Sequence, residues 1–187
     1  MLEPAVVERL RAAVGDDGII TSPAALSTYA CDGLTGRRVS PAVVVLPLTT
    51  EQVAEVVRTC SEAKIPFVAR GAGTGLSGGA LPVADGVVIG LSRMRSILRI
   101  DIENQQVTVQ SGVTNLEVSK ATRPLGYFYA PDPSSQQVCT IGGNVAENSG
   151  GAHCLKYGFT THHVLGATFV TAEGRIAHLG GVRDAAG

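Results

Sequence analysis

The chain has 187 residues, of which 44% are hydrophobic and 17% are charged, and its net charge is −1. This balance predicts a protein with a buried core, and the near-neutral charge argues against nucleic acid or an anionic lipid surface as a partner. We expect no transmembrane helix, because no apolar run approaches about 18 residues, and no signal peptide, because the N-terminus lacks an apolar core.

The first half of the chain alternates short apolar runs with helical patterns. Pro4 suits a first helical turn and Gly15 ends the helical spacing of apolar residues behind it. Thr49 and Gln52 form a capping box, which predicts that a second helix begins there. The order of these apolar runs and helical patterns along the chain indicates a β-α-β-loop-β unit with parallel strands around the helix. The predicted elements are a helix over 4–14, a buried strand over 41–47, a helix from 49, and strands over 66–69 and 87–91.

The second half has a different character, with alternating polar and apolar residues that favour hairpins. Thr114 and Glu117 form another capping box. We therefore expect two α+β lobes, residues 1–94 and 95–187, that meet near residue 95. The predicted elements are an antiparallel hairpin over 97–109, a helix from 114 that ends before Pro124 or Gly126, an irregular segment over 126–162, and a final hairpin over 164–179.

Residues 70–79, RGAGTGLSGG, follow a predicted strand and contain five glycines. Glycine allows positive φ and lets a ligand reach the main chain, and successive N–H groups in such a turn can converge on one anion. The segment therefore indicates a cradle for a phosphorylated cofactor, with a crowded turn without a ligand as the alternative. Arg70 either pairs with a phosphate or binds backbone carbonyls, and the sequence does not distinguish the two.

The same stretch contains a G-x-G-x-x-G match at 73–78, a motif of dinucleotide-binding Rossmann folds. A Rossmann unit needs a long crossover helix that begins inside the motif. Here only the eight residues 79–86, which include Pro82, separate the motif from the next predicted strand. That length is too short for the helix, so the sequence argues against a Rossmann nicotinamide site.

A second glycine-rich segment, residues 140–151, has the sequence TIGGNVAENSGG. Its short side chains at Asn144, Asn148 and Ser149 can donate hydrogen bonds to the edge of a flavin ring, and its glycines let the backbone pack against that ring. Ordinary loop glycines with turn-forming Asn are the alternative. One glycine cluster in each lobe suits an elongated FAD that lies between the lobes.

The cysteines and histidines form no metal-binding pattern. The four cysteines are far apart and lack a C-x-x-C pair, which predicts reduced thiols. Adjacent His162 and His163 would point to opposite faces of a strand, which argues against a shared metal. His153 lies beside the second glycine-rich segment, and the other histidines are expected to be structural or solvated.

Five segments of the chain, taken in order, resemble the FAD-binding domain of the vanillyl-alcohol oxidase flavoprotein superfamily. They are PAVVVLP, PFVARGAGTGLSGGA, PDPSS, TIGGNVAENSGGAHCLKYG and VLGATFVTAEG. Within it the chain is most similar to the family of FAD-linked subunits of bacterial glycolate oxidases. The resemblance extends from about Leu26 onward. It implies an α+β, two-lobed FAD-binding domain, with a small β-α-β lobe and a larger lobe of mixed and antiparallel sheet.

The resemblance also implies which residues contact FAD. The pyrophosphate would lie on amides of the first cluster, the flavin and ribityl region against the second, and the adenine near Ile176. Thr74 stands where family members with covalent flavin carry the linking histidine, which implies non-covalent binding. The implied cofactor-binding residues are Pro47, Arg70, Gly71, Ala72, Gly73, Thr74, Gly75, Leu76, Ser77, Gly78, Pro131, Asp132, Ile141, Gly142, Gly143, Asn144, Ala146, Asn148, Gly150, Gly151, Tyr157, Gly158 and Ile176.

For the whole protein, the resemblance implies oxidation of a 2-hydroxy acid, glycolate or D-lactate, to the 2-keto acid. Iron–sulfur and second flavin-binding subunits are the implied partners, and the implied location is cytoplasmic, with peripheral contact to the inner membrane left open. Family members continue past this point with a substrate-binding cap domain, so we expect no complete active site here and assign no catalytic residue. A non-catalytic FAD-binding or nucleotide-binding module is the alternative.

Overall fold

A four-stranded sheet organises the first half of the chain in the computed structural model, which describes residues 2–181. The three longer strands run parallel, as predicted, and a short unpredicted strand adds an antiparallel edge. The strands are β1 (Ile19–Ile20), β2 (Val43–Val45), β3 (Phe67–Arg70) and β4 (Val87–Gly90), in the spatial order β1-β2-β4-β3. Both β2 and β4 are buried along their whole length, as expected for strands covered on both faces.

Helices pack on this sheet. They are α1 (Pro4–Val14), α2 (Pro23–Leu26), which the sequence did not predict, and α3 (Thr50–Glu62). Leu10 of α1 and Val56 of α3 are fully buried in one core with residues of β2 and β4. The start of α3 is confirmed: the Thr49 hydroxyl accepts a hydrogen bond from the N–H of Gln52 at 3.2 Å, which satisfies one of the free donors of the first turn.

The second half contains the predicted helix and two hairpins. These are β5 (Ile97–Asp101) with β6 (Gln106–Val109), helix α4 (Asn115–Thr122), and β7 (Gly166–Val170) with β8 (Ile176–Gly180). Thr114 and Glu117 form the predicted capping box of α4. The last hairpin lies against α3, where Nη1 of Arg58 donates to the carbonyl of Gly174 at 3.4 Å.

The prediction of an irregular segment over 126–162 is wrong, because two further helices, α5 (Ile141–Glu147) and α6 (Cys154–Tyr157), lie within it. The Thr140 hydroxyl accepts from the N–H of Gly143 at 3.2 Å and caps α5. Asn148 ends that helix in the left-handed conformation, with φ of 50°. These two ends offset the low helix propensity of glycine. The histidine pair 162–163 lies in a 3-10 turn, not in a strand.

Candidate cofactor site

The loop that follows β3 and helix α5 face each other across a cleft of about 470 Å³. The loop leaves the carboxyl end of a parallel strand, where ligands commonly bind in open parallel sheets. The cleft thus brings the two glycine-rich segments together. The residues implied by the resemblance that line it are Arg70, Gly71, Ala72, Gly73, Thr74, Gly75, Leu76, Gly142, Gly143, Asn144, Ala146, Asn148 and Gly150.

The main chain of residues 71–76 makes no hydrogen bond with any described residue. Main-chain N–H groups in folded proteins usually have a partner, whether protein, water or ligand. The turn depends on Gly73, whose φ of 71° lies in the left-handed region. Unpaired N–H groups from successive residues along one wall of a cleft suit an anion such as a diphosphate.

Arg70 lies beneath this loop and is only 8% exposed. Its Nη1 donates to the carbonyl oxygens of Cys31 at 2.9 Å and Ala80 at 3.2 Å, and its guanidinium carbon lies 5.6 Å from the centre of the Tyr29 ring. Carbonyl binding, one of the two roles that the sequence left open, is therefore present in the structure. One bond reaches the segment around Cys31 and the other reaches Ala80, which follows the glycine-rich turn.

The opposite wall contains a buried donor without a protein partner. Asn144 is 1% exposed, and its Nδ2 has no hydrogen-bond partner among the described residues. A buried polar group left unpaired costs about 1–3 kcal/mol, so a ligand atom that accepts from Nδ2 would recover that cost. Asn148 also lines the cleft: its Oδ1 accepts from the N–H of Thr161 at 3.1 Å, whereas its Nδ2 makes no hydrogen bond with the described residues.

Several cleft residues were not assigned to the cofactor from the sequence. The Ser77 hydroxyl donates to Oε2 of Glu147 at 3.0 Å and so joins the loop to the end of α5. Thr140 could have been found from its N-cap position before the helix, whereas Glu147 carries no local signal. The residues that line the cleft but lie outside the set implied by the resemblance are Ala69, Gly79, Ala80, Leu91, Ser111, Ser135, Cys139, Thr140, Glu147 and Ser149. Of these, Gly79 belongs to the first glycine-rich segment, and Ser149 was predicted from the sequence as a donor to the flavin.

Ten of the implied residues do not line the cleft: Pro47, Ser77, Gly78, Pro131, Asp132, Ile141, Gly151, Tyr157, Gly158 and Ile176. Among them, Asp132 is engaged within the protein, because its carboxylate accepts from the main-chain N–H and pairs with Nδ1 of His153. Burial alone would raise the pKa of Asp132, but the hydrogen bonds from His153 outweigh it and lower that pKa. The carboxylate is therefore ionised at neutral pH.

Tyr157 and Ile176 lie in other surroundings. The Tyr157 ring meets the Phe128 ring edge-on, with the centres 6.1 Å apart. Ile176 begins β8 and pairs with Val170, which packs against the core around α3. The Tyr157 ring contact and the strand pairing of Ile176 therefore both lie outside the cleft.

Within residues 2–181, no group of three or more His, Cys, Asp or Glu side chains is arranged to hold a metal ion. The four cysteines are free, and burial raises the pKa of Cys60 to about 11, which keeps that thiol protonated. None of the helices in the described part of the chain has the length and apolar character needed to cross a membrane.

Comparison with known proteins gives close relatives. The chain is 51% identical to the glycolate oxidase subunit GlcD of Escherichia coli (strain K12), over 81% of this chain and 30% of that protein. It is 44% identical to a D-lactate dehydrogenase of Anaerostipes hadrus, over 75% of this chain and 29% of that protein. The chain thus spans about a third of the length of these relatives.

The fold is shared with p-cresol methylhydroxylase, whose structure was solved with substrate bound. That match has a TM-score of 0.79 and 27% identity, over 93% of this chain and 34% of that one. It confirms the predicted α+β fold of the vanillyl-alcohol oxidase type. Residues 41–180 match the family described as the FAD binding domain, and the chain therefore belongs to that family.

Proposed function

We propose that the cleft binds FAD with the diphosphate on the main-chain N–H groups of residues 71–76. The observation that carries this proposal is the row of successive N–H groups without a partner among the described residues. The loop also leaves room for a ligand, since a Cβ added at Gly75 would meet nothing closer than the Glu147 carboxylate at 3.6 Å. The residues present therefore fit the group that the family binds.

The flavin end of the cofactor would lie against α5, where Nδ2 of Asn144 can donate to its polar edge. We propose non-covalent attachment, because residues 70–79 contain no His, Cys or Tyr that could form a bond to the flavin. Contacts from the ten implied residues outside the cleft remain predictions. The lobe boundaries, residues 1–94 and 95–187, are part of the same proposal, supported by a cleft that draws its walls from both ranges.

For the whole protein we propose oxidation of a 2-hydroxy acid to the 2-keto acid, with glycolate or D-lactate as substrate. The names of the relatives, a glycolate oxidase subunit and a D-lactate dehydrogenase, support that substrate class. Bound FAD would supply the acceptor for the hydride equivalent that leaves the α-carbon. The residues of this chain bind and orient: the loop amides fix the diphosphate, and the α5 wall positions the ring.

The proposal extends to partners and location. The Escherichia coli relative is named as a subunit, which supports a multi-subunit enzyme. We propose iron–sulfur and second flavin-binding subunits as the partners, and a cytoplasmic location with peripheral contact to the inner membrane through them.

FAD titration of the apo-protein tests the proposed binding. Saturable binding of one FAD is expected, with a flavin spectrum that survives native gel filtration and is released on denaturation, as for a non-covalent cofactor. Folded protein that takes up no FAD would contradict the proposal. In the whole encoded protein, glycolate or D-lactate should then reduce an artificial dye. FAD binding with no dye reduction by either acid would instead support a non-catalytic FAD-binding module.

A further inference from the structure

We infer that Arg70 and residues 31–34, here called the brace, hold the loop at 71–76 in the conformation that binds a diphosphate. The inference rests on the proposed function and assigns Arg70 a positioning role in place of contact with phosphate. The loop needs such support, because its own main chain makes no hydrogen bond with the described residues.

The guanidinium of Arg70 connects the brace to the loop. It binds the carbonyl of Cys31 in the brace and the carbonyl of Ala80 beyond the turn. It also lies directly against Gly73, since a Cβ added there would be 2.3 Å from Nη2 and 2.5 Å from Cζ of Arg70. The guanidinium thus contacts both the brace and the loop, and Arg70 also lines the cleft.

Gly33 of the brace fixes the direction of two peptide groups of the loop. A Cβ on Gly33 would lie 2.6 Å from the carbonyl oxygen of Gly75 and 2.7 Å from that of Thr74, so both oxygens face Gly33. The C=O and N–H of a trans peptide point in opposite directions, and no described peptide bond is cis. The N–H groups of Gly75 and Leu76 therefore point away from the brace, and both residues line the cleft.

The brace has a defined shape of its own. Oδ1 of Asp32 accepts from the N–H of Leu34 at 2.9 Å, the contact of an Asx turn. Asp32 is 5% exposed. A segment shaped by this turn, behind a loop that makes no main-chain hydrogen bonds with the described residues, would preorganise the loop, and preorganisation lowers the entropic cost of binding.

Substitution of Gly33 tests the brace. The matched control is Gly36→Ala, because Gly36 lies two residues beyond the brace and a Cβ there has nothing within 4 Å. Each folded apo-protein is titrated with FAD and with riboflavin, which lacks the diphosphate. Gly33→Ala should raise the Kd for FAD about tenfold or more and leave the Kd for riboflavin unchanged. Gly36→Ala should change neither. A merely structural defect would weaken both ligands by the same factor, because it lowers the fraction of competent protein.

A second pair, Arg70→Lys and Arg70→Gln, separates positioning from phosphate contact. Both carbonyls accept from the same nitrogen, Nη1. Lysine keeps the charge but lacks the planar guanidinium that lies against Gly73 and the Tyr29 ring and sets the position of Nη1. The brace predicts that both variants lose FAD affinity alike and keep riboflavin affinity. A phosphate contact predicts that Arg70→Lys retains most of the affinity for FAD.

Three results would overturn the brace while the proposed function stands. Gly33→Ala could bind FAD with the wild-type Kd, or its Kd for FAD and its Kd for riboflavin could rise by the same factor. The third result is that Arg70→Lys keeps its affinity for FAD while Arg70→Gln loses it. Absence of FAD binding by the folded wild-type protein would overturn the proposed function and the brace together.

Discussion

The two glycine-rich segments have similar compositions, yet glycine serves a different purpose in each. In residues 71–76 it leaves the main chain without hydrogen bonds to the described residues and leaves space in front of Gly75. This segment is supported from behind by Arg70 and open toward the cleft. Glycine there keeps the N–H groups accessible.

In residues 140–151 glycine permits close packing. A Cβ on Gly142 would lie 2.7 Å from Cβ of Ser111, and one on Gly150 would lie 2.8 Å from the Phe159 ring. The segment forms a capped helix with its own hydrogen bonds. The comparison predicts that a side chain added at Gly75 of the first segment costs binding, whereas one added at Gly142 or Gly150 of the second segment costs stability.

The largest effect is expected from Gly151→Ala in the second segment. Gly151 has φ of 151°, and a Cβ there would lie 2.4 Å from both the carbonyl carbon and the carbonyl oxygen of Asp132. Main-chain atoms cannot move aside cheaply, so we expect a loss of about 3 kcal/mol in the free energy of unfolding. Urea denaturation of the apo-protein measures it.

The control for that substitution is Gly126→Ala, which has positive φ (86°) but nothing within 4 Å of the added Cβ. It should cost only about 1 kcal/mol, the strain of the left-handed conformation. Equal losses in the two variants would show that conformation, and not packing, makes glycine necessary at 151.

Gly75→Val in the first segment should weaken FAD binding and leave the stability of the protein nearly unchanged. A Cβ there meets only the flexible Glu147 side chain, at 3.6 Å or more, so the free energy of unfolding should change little. The branched side chain would occupy the space in front of the loop, and we expect the Kd for FAD to rise about a hundredfold. Gly36→Val, at an exposed glycine, is the control. If Gly75→Val retained its full occupancy with FAD, the diphosphate would have to bind elsewhere.

A pair of buried asparagines sharpens the comparison further. Nδ2 of Asn144 has no partner among the described residues, whereas Nδ2 of Asn115 donates to the carbonyl of Pro131 at 2.9 Å. Asn144→Leu should keep apo stability and weaken FAD about tenfold, because it removes only a ligand donor. Asn115→Leu should lower the free energy of unfolding by about 1–3 kcal/mol, because it leaves that carbonyl unpaired. Thermal unfolding and FAD titration of both variants test this pair. An Asn144→Leu protein that is less stable than Asn115→Leu would contradict the account.

The smallest effect is expected from Glu147→Gln. The carboxylate lies beside the loop and accepts from Ser77, so it would repel a bound diphosphate across an exposed surface. Removal of its charge should tighten FAD about twofold to fivefold at low ionic strength, and the gain should fade as salt screens the interaction. Weaker FAD binding by this variant would instead indicate that Glu147 holds the cofactor.

Local signals made part of this fold predictable. Thr49 and Thr114 marked the starts of α3 and α4 through caps that lie within four residues. Helix α5 could not be predicted from propensity, because Gly142 and Gly143 are poor helix formers and its stability comes from the Thr140 cap and the packing of the glycines.

The candidate site was also only partly predictable from the sequence. The glycines on which the proposed anion-binding loop depends are visible in the sequence. The supports of that loop are contacts between distant residues: Arg70 and Cys31 are 39 positions apart, and Ser77 and Glu147 are 70 apart. Because such pairs are formed only by the folded chain, no spacing in the sequence could indicate them.

The most direct test of the central claim is the amide NMR spectrum of residues 71–76 during titration with FAD and, separately, with riboflavin. The account predicts that FAD shifts these amide protons downfield and slows their exchange with solvent, as expected for N–H groups that come to donate to phosphate oxygens, and that riboflavin does not. Saturable FAD binding that leaves these six amides unshifted would contradict it.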